Sequence, residues 1–347
     1  MSIRVLVVDD SAVMRGILSQ VLPADGDIEV VALAEDAAQA RALIKQHDPA
    51  VLTLDVEMPS MNGIEFLDRL MRLRPMPVVM VSSLTRSGAG ATLLALELGA
   101  VDFVQKPGDG QPIEAWGAAL REKIRLAGGS RIRERRADQG TRARLSAPPG
   151  GDALIALAAS TGGVDAIRTV LSLLPLDCPP VVIAQHMPAG FTSRFAARLD
   201  EITGLRVVEA EDGMPLAVGT AHVAPGGRQL AVARHAGRPV CAVFDGDGTS
   251  GLRPSADILF HSVAATCGSS SVGAVLTGMG RDGASGLAAL RAAGGFTIGE
   301  SEATALVYGM PRVAFEEGAV IQQVPLGSIA ARLCAGLARI GRAGAET

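Results

Sequence analysis

The 347 residues exceed twice the usual domain length of roughly 150, so two domains are expected and one small fold is excluded. Hydrophobic residues at 48% and charged residues at 20% exclude a disordered chain, while 3% aromatics and a net charge of -4 provide no stacking platform or basic face for nucleic acid. Cys178, Cys241, Cys267 and Cys334 stand far apart with no CxxC, which reads as reduced thiols in a cytoplasmic protein without a zinc knuckle.

At the amino terminus Arg4 is followed by a short apolar run ending at Asp9 and Asp10, without the longer apolar stretch of a signal peptide. Charge-free stretches such as Cys267 to Gly280 are broken by Gly and Ser, so no membrane insertion is expected. Residues 1–120 carry 9 basic and 16 acidic side chains, residues 121–150 carry 9 and 3, and residues 151–347 carry 14 and 17. The basic stretch holds Arg131, Arg133, Arg135, Arg136, Arg142 and Arg144 between Gly128-Gly129 and Pro148-Pro149-Gly150. It reads as a linker over 121–150, joining a first domain over 1–120 to a second over 151–347. Such a tether either binds acidic surfaces or is simply a solvated hinge.

In the first domain, apolar runs at Arg4–Val8, Val30–Ala34, Val51–Leu54, Val78–Val81 and Asp102–Val104 alternate with amphipathic stretches such as Ala12–Leu22 and Ala37–Gln46. This is the βα alternation of a doubly wound parallel sheet, in which ligands lie beyond the carboxyl ends of the strands. Asp9 and Asp10 end the first run, Asp55 the third and Ser82 the fourth, and Lys106 follows the fifth. Three converging carboxylates call for a hard divalent cation, Mg²⁺ above others. Asp55 then suits a phosphoryl acceptor, with Lys106 and the Ser82 hydroxyl meeting the transferred charge. Taken singly, Asp9-Asp10-Ser11 also suits a helix cap and Asp55 a turn.

Together with Met58-Pro59, Asn62-Gly63 and Lys106-Pro107, the set closely resembles the receiver domain of two-component response regulators, over residues 3 to about 120. The resemblance implies phosphorylation of Asp55 by a histidine kinase. It also implies Mg²⁺ held by Asp10, Asp55 and the backbone carbonyl of Glu57 with Asp9 in support, and Phe103 as the aromatic that moves on activation. Asn62 departs from the Asp often found there.

The second domain repeats the style, with nearly continuous apolar runs at Ala153–Ala158, Val181–Gln185, Arg206–Glu209 and Gly273–Leu276 that suit a parallel sheet covered on both faces. Ala221 to Phe244, broken at Pro225-Gly226-Gly227 and Ala236-Gly237-Arg238-Pro239, reads as antiparallel hairpins appended to that sheet. Ser160-Thr161-Gly162-Gly163 lies between a strand and a helix, where a Ser hydroxyl is exposed and backbone N–H groups face a developing oxyanion; alone, it equally suits an N-cap and tight turn. His186 ends the next strand, in the place of a general base. A third strand runs into Thr277-Gly278-Met279-Gly280-Arg281-Asp282-Gly283, whose carboxylate suits orienting an imidazole or capping a helix, and whose Met279 N–H suits an oxyanion.

The order Ser, His, Asp differs from the Ser, Asp, His of the α/β-hydrolases, and Ala158 stands where their nucleophile elbow has Gly. The segments Ser160–Gly163, Gln185–Phe191, Ala224–Gly227, Gly278–Gly283 and Val307–Pro311 instead closely resemble the catalytic domain of the chemotaxis protein-glutamate methylesterases, the CheB family. Departures are Ala158 where that family usually has Gly, Leu252 where His is common, and Ser301-Glu302-Ala303 where Asp-Glu-Ala is usual.

The fold this implies is α/β with two doubly wound parallel-sheet domains: a flavodoxin-like receiver, then a Rossmann-like methylesterase domain with an antiparallel hairpin. The implied activity is hydrolysis of glutamate methyl esters on methyl-accepting chemotaxis receptors, with deamidation of receptor glutamines, by nucleophile Ser160, base His186 and orienting acid Asp282. Backbone N–H groups at Thr161 and Met279 would hold the oxyanion, Mg²⁺ would serve the receiver only, and a CheA-type histidine kinase would be the phosphodonor. The domain order also implies that an unphosphorylated receiver covers the Ser160 edge. A DNA-binding output is disfavoured by an acidic half built of βα repeats, a nicotinamide enzyme by the lack of GxGxxG after the first strand, and an inactive interaction module remains the rival to test.

Overall fold

A computed structural model describes residues 2–343 apart from Ser60, 83–85, Asp109, Gln111, 131–141, 144–151 and 249–250. The chain forms two units, Met1–Arg136 and Ala137–Thr347. Most of the arginine-rich stretch expected to be a linker lies outside the described residues.

The first unit is a five-stranded sheet of β1 (Ile3–Val8), β2 (Ile28–Ala34), β3 (Val51–Asp55), β4 (Val78–Ser82) and β5 (Asp102–Gln105), in the order β2-β1-β3-β4-β5. Every neighbouring pair is parallel. Between them run α1 (Ala12–Val21), α2 (Ala37–His47), α3 (Gly63–Leu73), α4 (Arg86–Glu97) and α5 (Ile113–Gly129). The central strands β3 and β4 are buried along their whole length, as expected of a sheet covered on both faces. Ser11 caps α1 by accepting the Met14 N–H, and Asn62 caps α3 by accepting the Glu65 N–H, so the Asn that departs from the receiver pattern does the work of a helix cap.

Helix α5 runs past the boundary expected near 120. Trp116, Leu120, Ile124 and Ala127 continue one buried stripe at helical spacing. Two of the basic groups assigned to the linker are fastened to the first unit: Arg121 Nε meets Asp25 at 2.7 Å, and Arg125 Nε meets Asp27 at 2.6 Å. They hold both carboxyls below the usual carboxylate range, chiefly by hydrogen bonding from Arg125.

The second unit holds a seven-stranded parallel sheet of β6 (Leu154–Ala159), β7 (Val181–Gln185), β8 (Arg206–Glu209), β9 (Thr220–Val223), β12 (Ser271–Val275), β13 (Phe296–Glu300) and β14 (Gln322–Val324), with β10 (Gln229–His235) and β11 (Arg238–Phe244) forming a separate antiparallel pair. The sheet order is β14-β13-β12-β6-β7-β9-β8. Its helices are α6 (Gly163–Leu173), α7 (Thr192–Thr203), α8 (Ala256–Thr266), α9 (Ala284–Ala292), α10 (Met310–Glu316) and α11 (Ile329–Ala343). Only part of Ala221–Phe244 is a hairpin. Its first run, β9, is buried at all four positions and pairs in parallel with β7 and β8, so Pro225-Gly226-Gly227 leads out of the sheet and does not turn a hairpin. The strands β13 and β14, absent from the expected set, are short and carry Gly299 and two Gln.

The pair β10–β11 turns through Ala236 and Gly237, both at positive φ (49° and 79°), the backbone of a two-residue hairpin loop. Its inner face, with Val232, Cys241 and Val243, joins Leu259, Phe260 and Val263 of α8 in the core. At the start of the unit, Arg142 donates to the carbonyls of Leu174 (2.8 Å) and Thr203 (2.5 Å), and so answers the unpaired acceptors at the ends of two helices, α6 and α7. No helix of the described residues is long and apolar enough to cross a membrane.

Ala236 holds a left-handed backbone that costs an L-residue with a plain Cβ roughly 1 kcal/mol. Ala236→Asn is therefore expected to raise the unfolding free energy of the second unit by about 0.5–1 kcal/mol, read as a higher denaturant midpoint at unchanged m.

Candidate active site

The order of the large sheet reverses at β6, which has β7 on one side and β12 on the other. Loops leaving such a point diverge and open a crevice at the carboxyl edge. The Ser160 N–H donates to Thr277 O at 3.0 Å, and the His186 N–H donates to Ala159 O at 3.1 Å. Ser160, His186 and the segment 277–283 thus leave three adjacent strands side by side. Gly278 lies against Ser160: a Cβ there would sit 2.7 Å from Ser160 Cβ and 2.5 Å from Met310 Sδ, so only glycine fits.

His186 Nε2 lies 2.8 Å from Asp282 Oδ2. With Nε2 engaged by the carboxylate, Nδ1 is the nitrogen left to take a proton, the reverse of the familiar serine-protease arrangement. Asp282 is 2% exposed. Its Oδ2 also accepts the Ala256 N–H at 2.6 Å, and its Oδ1 accepts the Ser255 hydroxyl at 2.8 Å and the Asp257 N–H at 3.2 Å, all from the start of α8. Burial pushes the carboxyl up; hydrogen bonding and charge from His186, with the Ala256 N–H and Ser255 hydroxyl, outweigh it and hold Asp282 below the usual range.

Other residues brace the crevice. Gln185 Nε2 donates to the carbonyls of Ser160 (2.9 Å) and His186 (3.2 Å), tying the Ser160 turn to that of His186. The Thr277 hydroxyl donates to Thr161 O at 3.0 Å and accepts the Val307 N–H at 2.9 Å, while the Thr277 N–H donates to buried Glu300 at 2.8 Å. Thr161 is buried, and Met279 is 37% exposed at the crevice edge. Gln185 and Thr277 lay in segments already singled out, but Ser255 and Glu300 carry no local signal, because their roles exist only across strands. His222, also on a strand, is a core residue: burial pushes its imidazole down and keeps it neutral.

In the first unit the sheet reverses between β1 and β3, and the acidic residues stand there. Ligand oxygens of Asp9, Asp10 and Asp55 lie within 4.8 Å of one another. Lys106 Nζ stands 2.7 Å from Asp55 Oδ2 and 2.9 Å from Asp9 Oδ2. One ammonium reaches two of the three clustered carboxylates, and buried Asp9 Oδ2 lacks a properly directed hydrogen bond, so this all-oxygen set suits a hard cation. Burial pushes Asp55 up, more than hydrogen bonding and charge from Lys106 pull it down, with the Asp9 charge adding to the rise. Burial would lower Lys106, but its hydrogen bond to Asp55 and its ion pair with Asp9 raise it, so it stays protonated.

The Glu57 N–H donates to Asp55 Oδ1 at 3.3 Å, while its side chain is exposed. Ser82 is buried, and its carbonyl accepts the Lys106 N–H at 2.8 Å. Phe103 is buried, with Lys123 Nζ 5.7 Å from its ring centroid and bound to Asp102 at 2.6 Å. Arg15, not singled out in the sequence, donates to the carbonyls of Asp9 and Asp10 at 2.8 and 2.9 Å. A cavity of about 450 Å³ opens beside Asp10, Glu57, Met58 and Asn62.

Comparison with known proteins gives two family matches: CheB methylesterase over residues 155–333 and response regulator receiver domain over residues 5–115. The chain is 54% identical over 331 residues to a protein-glutamate methylesterase/protein-glutamine glutaminase of Caulobacter vibrioides, covering 94% of this chain and 96% of that one. It is 49% identical over 337 residues to the Salmonella choleraesuis protein of the same description, covering 96% of each. The crystal structure of the Thermotoga maritima CheB methylesterase catalytic domain matches 54% of this chain and 99% of its own, at 33% identity and a TM-score of 0.52.

Two opposite pH effects follow. Asp282 lies below its ordinary 3.8, so its stabilisation is complete above that value and is lost as pH falls through the lower folded-state value. Asp282→Asn should cost about 1–3 kcal/mol at neutral pH, with the gap to wild type closing in acid. Asp55 lies above 3.8, so its ionisation is a cost, absent below that value and complete once pH passes the folded-state one. Asp55→Asn should raise the thermal midpoint of the receiver at neutral pH and lose that gain in acid; a lower midpoint at pH 7 contradicts it.

Proposed function

We propose that this chain, which belongs to the CheB methylesterase family and carries a response-regulator receiver domain in front of its esterase domain, hydrolyses glutamate γ-methyl esters on methyl-accepting chemotaxis receptors. It does so under control of phosphorylation at Asp55. The observation that supports the reading most is the His186 Nε2 to Asp282 Oδ2 bond of 2.8 Å beside the Ser160 turn.

In this reading His186 Nδ1 takes the proton of Ser160 Oγ as that oxygen attacks the ester carbonyl. The carbonyl π electrons move onto oxygen, and the N–H groups of Thr161 and Met279 stabilise the charge. As the tetrahedral adduct collapses, the C–O bond to the methoxy group breaks, and the imidazolium returns its proton to release methanol. A glutamyl ester on Ser160 remains. Water, deprotonated by His186, attacks the same carbon; Ser160 leaves with the proton, and the receptor keeps a carboxylate. Asp282, held ionised by its buried donors, stabilises the imidazolium and takes no proton. The same steps on a glutamine release ammonia, which gives the glutaminase activity.

In the receiver, Asp10, Asp55 and the Glu57 carbonyl, with Asp9 in support, would hold Mg²⁺, which supplies charge neutralisation for the incoming phosphoryl group. Asp55 accepts that group from a CheA-type histidine kinase, protonated Lys106 pairs with its charge, the Ser82 hydroxyl closes on it, and Phe103 reports it to the surface. Phosphorylation shifts a population between less and more active forms, which requires that the phosphoryl group stabilise one over the other. Neither nucleic acid nor membrane insertion has a part. Four free, buried cysteines suit a reducing compartment, the cytoplasm.

The test is methanol release from methylated receptor membranes by the full chain with Mg²⁺, with and without a small-molecule phosphodonor. Ser160→Ala should lose at least about 10³-fold in rate, and Asp55→Asn should keep basal release but lose the response to phosphodonor. Release that survives Ser160→Ala, or none from several receptors despite phosphorylated Asp55, would overturn the reading.

A further inference from the structure

Asp257 takes part in none of the proton transfers above, yet it holds the segment on which they depend. It stands half-buried in the first turn of α8. Its Oδ1 accepts the N–H of Gly283 at 3.0 Å and of Gly286 at 2.8 Å, at the opening of α9. The cap residue of α9, Gly283, has no side chain to offer those donors. In return Asp282, the residue just before that cap, accepts the hydroxyl and N–H groups that open α8. Each helix start thus takes its carboxylate from the other, with the favourable pairing of anion and helix N-terminus made twice.

Glycine makes the exchange possible. A Cβ on Gly286 would lie 2.5 Å from Asp257 O and 2.8 Å from Phe260 Cβ. At Gly283, where φ is +93°, a Cβ would lie 3.0 Å from Ala256 Cβ. The two helices therefore meet backbone to backbone, and the short Asp257 side chain spans the gap.

Gly283 closes the loop that begins at Gly278 against Ser160 and carries both the Met279 N–H and Asp282. We infer that Asp257 is a positioning residue for the esterase reaction: by fixing the amino end of α9 it fixes the carboxylate that holds His186 and the backbone that faces the oxyanion. This rests on the reading of Ser160, His186 and Asp282 as the reacting set.

The experiment compares Asp257→Ala and Asp257→Asn in the full chain. Asparagine keeps an oxygen able to accept both N–H bonds, and alanine keeps none. Methanol release should show kcat lowered about 10- to 100-fold in Asp257→Ala, with KM within about twofold of wild type, and largely restored in Asp257→Asn. A second readout needs no substrate: the low-field NMR proton of the His186–Asp282 hydrogen bond should persist in Asp257→Asn and be lost in Asp257→Ala. If Asp257→Ala does not fold, Asp257→Ser, whose shorter side chain withdraws the acceptor, replaces it. A folded Asp257→Ala with wild-type kcat and an intact low-field proton overturns the inference, as does an Asp257→Asn that falls as far as Asp257→Ala. A wild-type chain that releases no methanol, but whose low-field proton still depends on Asp257, overturns the esterase reading and leaves the positioning role standing; a proton indifferent to Asp257 overturns the role as well.

Discussion

A negative charge that is 2% exposed is the constraint around which the second unit is arranged. Moving a carboxylate out of water costs several kcal/mol, so Asp282 can stay ionised only if the protein supplies donors in place of water. It supplies four: an imidazole, a hydroxyl and two backbone N–H groups. That demand dictates where α8 begins, why Ser255 stands at its cap, and why β12 must neighbour β6 so that its loop reaches across to His186. Remove the charge, and the donors of α8 lose their partner along with the imidazole.

Both units put carboxylates at the carboxyl edge of a parallel sheet where the strand order reverses, but their charge balance is opposite. In the first, three carboxylates cluster around one ammonium that pairs with two of them, and Asp55 resists ionisation. Such a site gains from any added positive charge, and from converting the aspartate into a derivative whose charge is carried further from Asp9. In the second, one carboxylate has a donor for each of its acceptor positions, so it resists protonation and remains a fixed negative charge beside the imidazole. One arrangement is built to change state, the other to keep it.

Much of this was legible in the sequence because the chemistry sits at strand ends. Asp9, Asp10, Asp55, Lys106, Ser160, His186 and Asp282 each follow an apolar run, and period and punctuation alone locate such runs. The errors arise where one signal stands for two structures. A short apolar run before Pro-Gly-Gly reads as a hairpin arm, yet β9 is a parallel strand, because burial on both faces is not visible in four residues. Arginines near 121–125 read as linker, yet Asp25 and Asp27, about a hundred positions away, neutralise them on a helix. Ser255 and Glu300 were out of reach for the same reason: their partners are neighbours only once the sheet has formed.

The orientation of His186 bears on how firmly its ring is held. Nδ1 is bonded directly to Cγ, close to the pivot of the side-chain torsions, whereas Nε2 lies at the far side of the ring. Rotation about Cα–Cβ therefore swings Nε2 through the longer arc, whereas rotation about Cβ–Cγ moves Nδ1 more. The far end is the one pinned to a buried carboxylate at 2.8 Å. The rigid ring is thus clamped where the swing about Cα–Cβ is widest, and the freedom left to Nδ1 is the twist about Cβ–Cγ.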